Sequence, residues 1–511
     1  MENKNILTTK ESFILLLSVF IVGFCTIIYE LLIGSVSSYF LGDSIKQFSL
    51  VIGLTMTAMG LGTLISRIIN KDLIYYFIFI EILLAVIGGV SVPVLYYAYT
   101  FESLYYSVMI LLILAIGCLI GLEIPLLTRI MEKYYNLKDN ISNVLSLDYL
   151  GAFIATIVFP FILLPFLGIF ESSVFAGLLN LFVGIINFFW FKDKILKKKS
   201  AKLSFLIILI LLFLTGLFLC SKEIVKHWEN NIFEDRVIFS KQTPYQKLVM
   251  TKNKEDIRLF IDGNVQFSSI DEYRYHELLI HIPMSLAIHK QNILVLGGGD
   301  GLAAREILKY DDVQSVTVVD LDKEMTDLAK ENKYFTKLNQ NSFQNKKVKI
   351  YNEDAFKFLE NARNFYDVII VDLPDPNNSS LARLYSTEFY KILKKKLAKN
   401  GIMVTQATSP FFSPEAFWCI QKSLKKADFK NIYPYHTYVP SFGDWGFVMA
   451  SNTRYDLNTI NINVETKYLD NELAKVSFKI EKDVIKTDIE PSTLDRPKIL
   501  DYYLNGWRYW N

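Results

Sequence analysis

Cysteine is scarce in this chain, and what there is cannot build a framework: Cys25, Cys118, Cys220 and Cys419 lie far apart, with no CxxC pair. That excludes a disulfide scaffold and a cysteine-ligated zinc site. Three of the four sit in or beside apolar stretches, where a small buried thiol is the ordinary use. A surplus of positive charge is missing too. The net charge is +2 with 21% charged residues, so nothing points to nucleic acid as a partner. The first apolar run has no small-residue cleavage site and continues into Glu30, which reads as a retained span and not a signal peptide.

Apolar residues are plentiful but unevenly spread. Mean hydropathy is +0.27, high for a soluble protein. Apolar side chains crowd into the first 220 positions, while Lys, Asp and Glu dominate the rest. The simple reading is a membrane-embedded half, with lipid as its partner, followed by a water-soluble half. Seven runs are long enough to cross a hydrocarbon core: Phe13–Leu41, Phe48–Ile69, Leu73–Tyr99, Leu104–Ile130, Leu145–Phe170, Ser173–Phe191 and Leu203–Cys220. A crossing takes about 20 apolar residues. The fifth run carries Pro160 and Pro165, which packed membrane helices tolerate. Met59-Gly60-Leu61-Gly62 would permit close helix contact.

The basic residues beside these runs are one-sided. Lys4, Lys10, Arg67, Lys71, Arg129, Lys133, Lys138, Lys192, Lys194, Lys197, Lys198, Lys199 and Lys202 fall on one side, against Lys46 on the other. The positive-inside tendency makes the amino terminus cytoplasmic, and two readings of the carboxy-terminal half stay open: seven crossings leave it outside, or one apolar run does not cross fully. Glu30, Glu81, Glu123 and Asp148 lie within or at the edge of the runs. Acids there are costly in lipid and are functional candidates.

Beyond Cys220 the pattern changes to short strands and helices, and the composition suggests four segments: a membrane domain over 1–221, a small β-rich part over 222–282, an α/β domain over 283–455 and an extension over 456–511. Val237–Phe239, Gln246–Thr251, Ile257–Ile261 and Asn264–Phe267 read as strands, with a turn at Asp262-Gly263. A helix follows over Tyr273–Met284. Then strands Asn292–Leu296, Val316–Val319, Val348–Tyr351, Val368–Val371 and Ile402–Gln406 alternate with helical segments. That alternation predicts a doubly wound, Rossmann-like sheet.

The chemistry-bearing residues fall at the carboxyl ends of these strands, where such sheets bind ligands. Gly297, Gly298, Gly299 and Gly301 surround Asp300 after the first strand. Asp320 closes the second, Asp354-Ala355 follows the third, and Asp372 and Asp375 follow the fourth. Glycines allow close backbone approach, and an acid ending the second strand suits ribose hydroxyls. The loop has no Lys-Ser/Thr and carries Asp300, so it repels a phosphate and welcomes a cation. Converging carboxylates suit a diamine, whose amines arrive protonated with a pKa of about 10.4. One carboxylate accepts a proton while another holds the far ammonium. The residues alone leave open an S-adenosylmethionine-dependent methyltransferase, or a non-catalytic polyamine transporter or sensor.

Pro244-Tyr245-Gln246, Ile261-Asp262-Gly263 with Gln266, Asp271-Glu272 with Tyr275-His276-Glu277, Gly297-Gly298-Gly299-Asp300-Gly301, Asp354-Ala355 and Asp372 with Asp375-Pro376 resemble, in order, the motifs of spermidine synthases. The likeness runs from about 236 to 451, and the spanning leader resembles that of the membrane-bound bacterial branch. The resemblance implies aminopropyl transfer from decarboxylated S-adenosylmethionine, as co-substrate, to putrescine or a related amine, with no permanently bound cofactor and no metal. It implies Asp372 as general base; His276, Asp300 and Asp375 at the polyamine; and Gln246, Asp320, Asp354 and Ala355 at the thioadenosine. It also implies a homodimer or larger homo-oligomer. Three departures stand out. Asp320 replaces the usual Glu, Asn378-Ser379 replaces Gly-Pro, and Tyr438-Val439-Pro440-Ser441-Phe442-Gly443 carries an insertion.

Overall fold

The computed structural model describes residues 8–41, 44–101, 104–508 and 510; Lys4, one of the basic residues counted above, lies outside them. Backbone contacts divide the chain into two compact units, Met1–Val237 and Ile238–Asn511.

The first unit is helical: α1 (Thr8–Leu41), α2 (Ser44–Ile65), α3 (Leu73–Gly89), α4 (Ser91–Tyr99), α5 (Tyr105–Met131), α6 (Leu137–Val158), α7 (Leu164–Phe191), α8 (Lys197–Leu219) and the short α9 (Ser221–Ile232). Among the described residues, six helical stretches are long and apolar enough to cross a membrane, where hydropathy alone suggests seven. The difference lies in Leu137–Lys194, 58 residues in which the fifth and sixth runs join without a loop. A π-helical turn, Phe159–Leu163, links them, and Gly168 breaks the helix with φ 80° and ψ −178°. The Glu11 carboxylate meets both the Tyr134 hydroxyl, just before α6, and Lys194 Nζ, just after α7, the latter at 2.7 Å. Both ends of the stretch thus reach the same end of α1, and the chain doubles back near Gly168. A single residue outside helical geometry does the work of a loop.

Small residues set the helix contacts. A methyl group on Gly62 would fall 2.1 Å from the Cys118 carbonyl oxygen, one on Gly151 2.1 Å from that of Phe20, and one on Gly177 2.5 Å from that of Ala85. Backbone therefore touches backbone between α2 and α5, α1 and α6, and α3 and α7, as small residues allow. Gly60 faces open space instead. Basic side chains gather at one end of the bundle: Lys199 pairs with Asp72 at 2.7 Å, and Arg129 donates to the carbonyls of Ser66 and Ile69 at 2.8 Å. At the other end, α9 anchors through Trp228 Nε1 to the Tyr96 carbonyl at 2.7 Å.

In the second unit, β1 (Arg236–Gln242), β2 (Lys247–Asn253), β3 (Asp256–Ile261) and β4 (Asn264–Ser268) form a meander in that order. The helix α10 (Glu272–Leu286) follows. Then β5 (Asn292–Gly297), β6 (Ser315–Asp320), β7 (Val348–Asn352), β8 (Tyr366–Asp372), β9 (Leu397–Gln406), β10 (Asn431–Val439) and β11 (Gly443–Ser451) build one sheet in the order β10-β11-β9-β8-β5-β6-β7. β5 to β9 run parallel, while β11 and β10 close the edge antiparallel. The core strands read as unbroken apolar runs because both faces are covered. Ile293 and Val295 pack into one apolar cluster, Leu294 and Leu296 into the other. The strand order reverses at β5, which has β6 on one side and β8 on the other. That junction is where a crevice opens.

Candidate active site

Register brings the key loops together before any side chain is considered. Gly297, last in β5, pairs with Asp372, last in β8. At Gly297 φ is +83°, and a Cβ there would sit 1.9 Å from the Asp372 carbonyl oxygen. Gly298 and Gly301 also take positive φ, 63° and 80°. The glycine loop is thus wedged against two acids. A methyl on Gly298 would lie 3.4 Å from Asp372 Oδ2, and one on Gly299 2.4 Å from Asp320 Oδ2.

Asp300, Asp372 and His276 form one electrostatic cluster. Asp300 accepts the backbone N–H of Leu302 at 2.9 Å at the start of the short helix α11 (Leu302–Ile307). Asp372 Oδ1 accepts the Tyr275 hydroxyl at 2.6 Å. Each acid keeps some solvent contact, yet protein surrounds it closely. Burial pushes Asp300 up to about 6, opposed by the His276 charge and reinforced by Asp372. Burial raises Asp372 as well, against the pull of His276 and Tyr275. His276 rises too, but for the opposite reason: burial opposes its charge, while Glu272, Asp300 and Asp372 together lift it to about 9. At neutral pH it is an imidazolium.

A buried scaffold holds that imidazolium. His276 Nδ1 lies 2.9 Å from Glu272 Oε2, one helical turn back. Arg305 grips Glu272 with Nη1 and Nη2, each at 2.9 Å, and its Nε donates to Glu306 at 2.8 Å. Glu306 in turn meets His281 Nε2 at 2.8 Å. The ion pairs hold Glu272 below the usual carboxylate range despite its burial.

Asp375 occupies the loop after β8. Tyr385 pins that loop by donating to the Leu373 and Pro374 carbonyls at 3.1 and 2.9 Å. Gln406, last in β9, donates Nε2 to Asp375 Oδ1 at 3.1 Å, and Thr408 donates to Oδ2 at 3.3 Å. Tyr503, from the helix Lys498–Arg508, lies close enough to Asp375 for the two side chains to act on each other electrostatically. Burial still dominates and pushes Asp375 to about 6. Tyr275 and Tyr385 feel the charges of both Asp372 and Asp375, which places the two carboxylates in one neighbourhood.

On the far side of the glycine loop, Asp320 accepts the Asp322 N–H at 2.9 Å and is pushed by burial to about 7. Gln246 donates to Asp322 at 3.0 Å, so it stands beside the end of β6. Asp354 caps the helix Ala355–Asn361 by accepting the Lys357 N–H at 3.0 Å, and its other oxygen pairs with Arg383. Ala355 is buried as the first residue of that helix. Two stretches quoted separately above also meet: Asp271 accepts both the N–H and the hydroxyl of Ser441, at 2.7 and 2.9 Å.

Sequence reasoning overlooked Tyr275, Glu272 and Arg305 as site residues, although the Glu-x-x-Tyr-His spacing puts Glu272 and Tyr275 on one side of a helix with His276. It also overlooked Gln406, Thr408 and Tyr503. Glu277, inside the same motif, serves the extension instead, accepting N–H groups of Lys467, Tyr468 and Leu469 at 2.6, 2.9 and 2.8 Å.

A profile of the Spermine/spermidine synthase domain matches residues 272–463. The chain is 39% identical over 497 residues to the polyamine aminopropyltransferase of Leptospira interrogans serogroup Icterohaemorrhagiae serovar copenhageni, covering 96% of this chain and 98% of that one. It is 38% identical over 507 residues to the polyamine aminopropyltransferase of Oceanobacillus iheyensis, covering 98% of each. A spermidine synthase solved in complex with the transition-state analogue AdoDATO is 27% identical, over 49% of this chain and 87% of that one, with a TM-score of 0.45.

Proposed function

The chain belongs to the polyamine aminopropyltransferases of the spermidine synthase type, and from that premise we propose that Asp372 deprotonates putrescine while Asp300 and Asp375 hold the cationic amines. The observation that carries this reading is the cluster itself. Asp300 and Asp372 act on each other, Asp372 and Asp375 act on the same tyrosine, and the glycine loop lies against Asp372 and Asp320. Glu272, Asp300, Asp372 and Asp375 outnumber the cations His276 and Arg305, so the pocket keeps net negative charge for its reactants.

In this scheme the adenosine of decarboxylated S-adenosylmethionine lies along Gly297–Gly301. Asp320 takes the ribose hydroxyls, and Gln246, Asp354 and Ala355 line the remainder. Asp372 takes a proton from the attacking amine. The freed nitrogen forms a bond to the methylene carbon beside sulfur, the C–S bond breaks, and its electron pair stays on sulfur. Methylthioadenosine departs neutral, and Asp372 returns its proton to solvent. The His276 imidazolium and the donor sulfonium, both positive, lower the affinity of the amine for its proton. Tyr275 fixes the Asp372 carboxylate for the transfer.

Incubating the purified full-length protein with decarboxylated S-adenosylmethionine and putrescine should give spermidine and methylthioadenosine in equal amounts; formation of neither would overturn the reading. The working acids must be ionised, so kcat/KM should fall as pH drops through about 6, where Asp300 and Asp375 protonate. A rate flat down to pH 5 would contradict the roles given to them. Gly299→Ala crowds Asp320 Oδ2 and should weaken donor binding roughly ten-fold, the cost of about one charged hydrogen bond. Calorimetry reads that loss, and an unchanged Tm would show it to be local.

We place the helical unit in a membrane. Large apolar side chains face outward along it, among them Phe153, Phe161, Phe166, Phe189 and Phe205, at 61, 73, 80, 70 and 66% exposure. An exposed apolar surface on that scale needs lipid or a partner to cover it.

A further inference from the structure

Deep in the helical unit lie two carboxyl groups that aminopropyl transfer does not use. Glu81 of α3 and Glu123 of α5 are both 0% exposed. They lie close enough for each to act electrostatically on the other. Asn180 of α7 donates Nδ2 to Glu81 Oε2 at 2.9 Å. Tyr29 of α1 donates its hydroxyl to Asn180 Oδ1 at 3.0 Å. Four helices therefore converge polar groups on one point. Yet Glu81 Oε1 and both oxygens of Glu123 have no donor.

Depth makes that arrangement expensive. Glu81 lies eight residues into α3 and Glu123 eight residues before the end of α5. At 1.5 Å per residue both sit about 12 Å inside the basic end of the bundle, close to the middle of a core about 30 Å thick. A buried acid pair in such surroundings persists only if bound protons or another positive charge neutralise it. The three orphan oxygens match the three N–H donors of a primary ammonium. Glu30 and Asp148 differ, since both keep partial exposure.

We propose that Glu81 and Glu123 form a binding site within the bundle for a primary alkylammonium group, with Asn180 and Tyr29 as positioning residues. The choice of ligand class rests on the proposed function, because that chemistry already handles such cations; the site itself is separate from the catalytic crevice. It gives the helical unit a role beyond anchoring: it takes up the amine that the soluble unit uses or makes.

Equilibrium dialysis of the detergent-purified full-length protein against radiolabelled 1,4-diaminobutane tests this. Wild-type protein should bind two equivalents per chain. The double variant Glu81→Gln/Glu123→Gln should bind one and keep its aminopropyl transfer rate, whereas Asp375→Asn should lose the other. Equal stoichiometry in wild type and the double variant would overturn the proposal. So would displacement of the second equivalent by millimolar sodium or potassium but not by a monoamine, which would identify an alkali-ion site. If the double variant fails to fold, Asn180→Ala should weaken the second site roughly ten-fold, and unchanged affinity there would equally overturn it. Loss of transfer in wild-type protein that still binds both equivalents would count against the enzymatic reading alone.

Discussion

Replacing Asp372 by asparagine should lower kcat by about 10²–10⁴-fold, the usual contribution of a positioned general base, while leaving donor affinity unchanged. The amide keeps the shape of the carboxylate, and its oxygen can still accept the Tyr275 hydroxyl that now sits 2.6 Å from Oδ1. What it cannot do is take a proton. Wild-type Asp372 is suited to that task because burial raises it above an ordinary aspartate, while the His276 charge and the Tyr275 hydrogen bond oppose that rise. Single-turnover kinetics with saturating acceptor would isolate the step. A loss smaller than about ten-fold would transfer the role of base to another group.

Replacing Asp375 by asparagine should act on binding instead. The acceptor carries a second ammonium, and Asp375 is the carboxylate that Gln406 and Thr408 hold in place. Removing one charged partner costs about 2 kcal/mol, equivalent to a rise of roughly 30-fold in the acceptor KM. The kcat and the donor KM should move little. Steady-state kinetics with varied acceptor separates the cases, and an equal fall in kcat and kcat/KM would mean that Asp375 acts on the transition state. Tyr503 also explains why the carboxy-terminal extension belongs to the enzyme. Its helix brings a tyrosine beside Asp375, and Trp507 stacks on Phe412 with ring centres 5.2 Å apart.

Residues whose chemistry is local were the legible ones. The run Asn292–Gly297, apolar on both faces and ended by glycine, announces a central strand, and the acids that follow β5, β6 and β8 stand, as their spacing suggests, at the carboxyl ends of neighbouring parallel strands. Groups that act through distant partners were not. Glu272 looks like an ordinary helix-start acid until Arg305 is seen gripping it from α11. Tyr503 carries no local signal, since only the folded chain brings the extension back to Asp375. The edge pair β10 and β11 went unread because their aromatic and polar residues lack a clean alternation. The stretch Tyr438–Gly443, read as a motif alone, is the turn that joins them. In the helical unit hydropathy registers the two runs around Gly168, but nothing in it reveals that they join without a loop. Likewise Glu30, Glu81, Glu123 and Asp148 look equivalent in sequence, and only packing singles out Glu81 and Glu123 as the fully buried pair.

Donor selectivity probes the crevice most directly. Titration calorimetry of the full-length protein with decarboxylated S-adenosylmethionine and with S-adenosylmethionine should show the decarboxylated compound binding at least roughly ten-fold tighter, because a carboxylate placed near Asp300 meets a like charge. Asp300→Asn should narrow that gap. Tighter binding of the carboxylated donor by the wild-type protein would mean that these aspartates do not line a cation pocket.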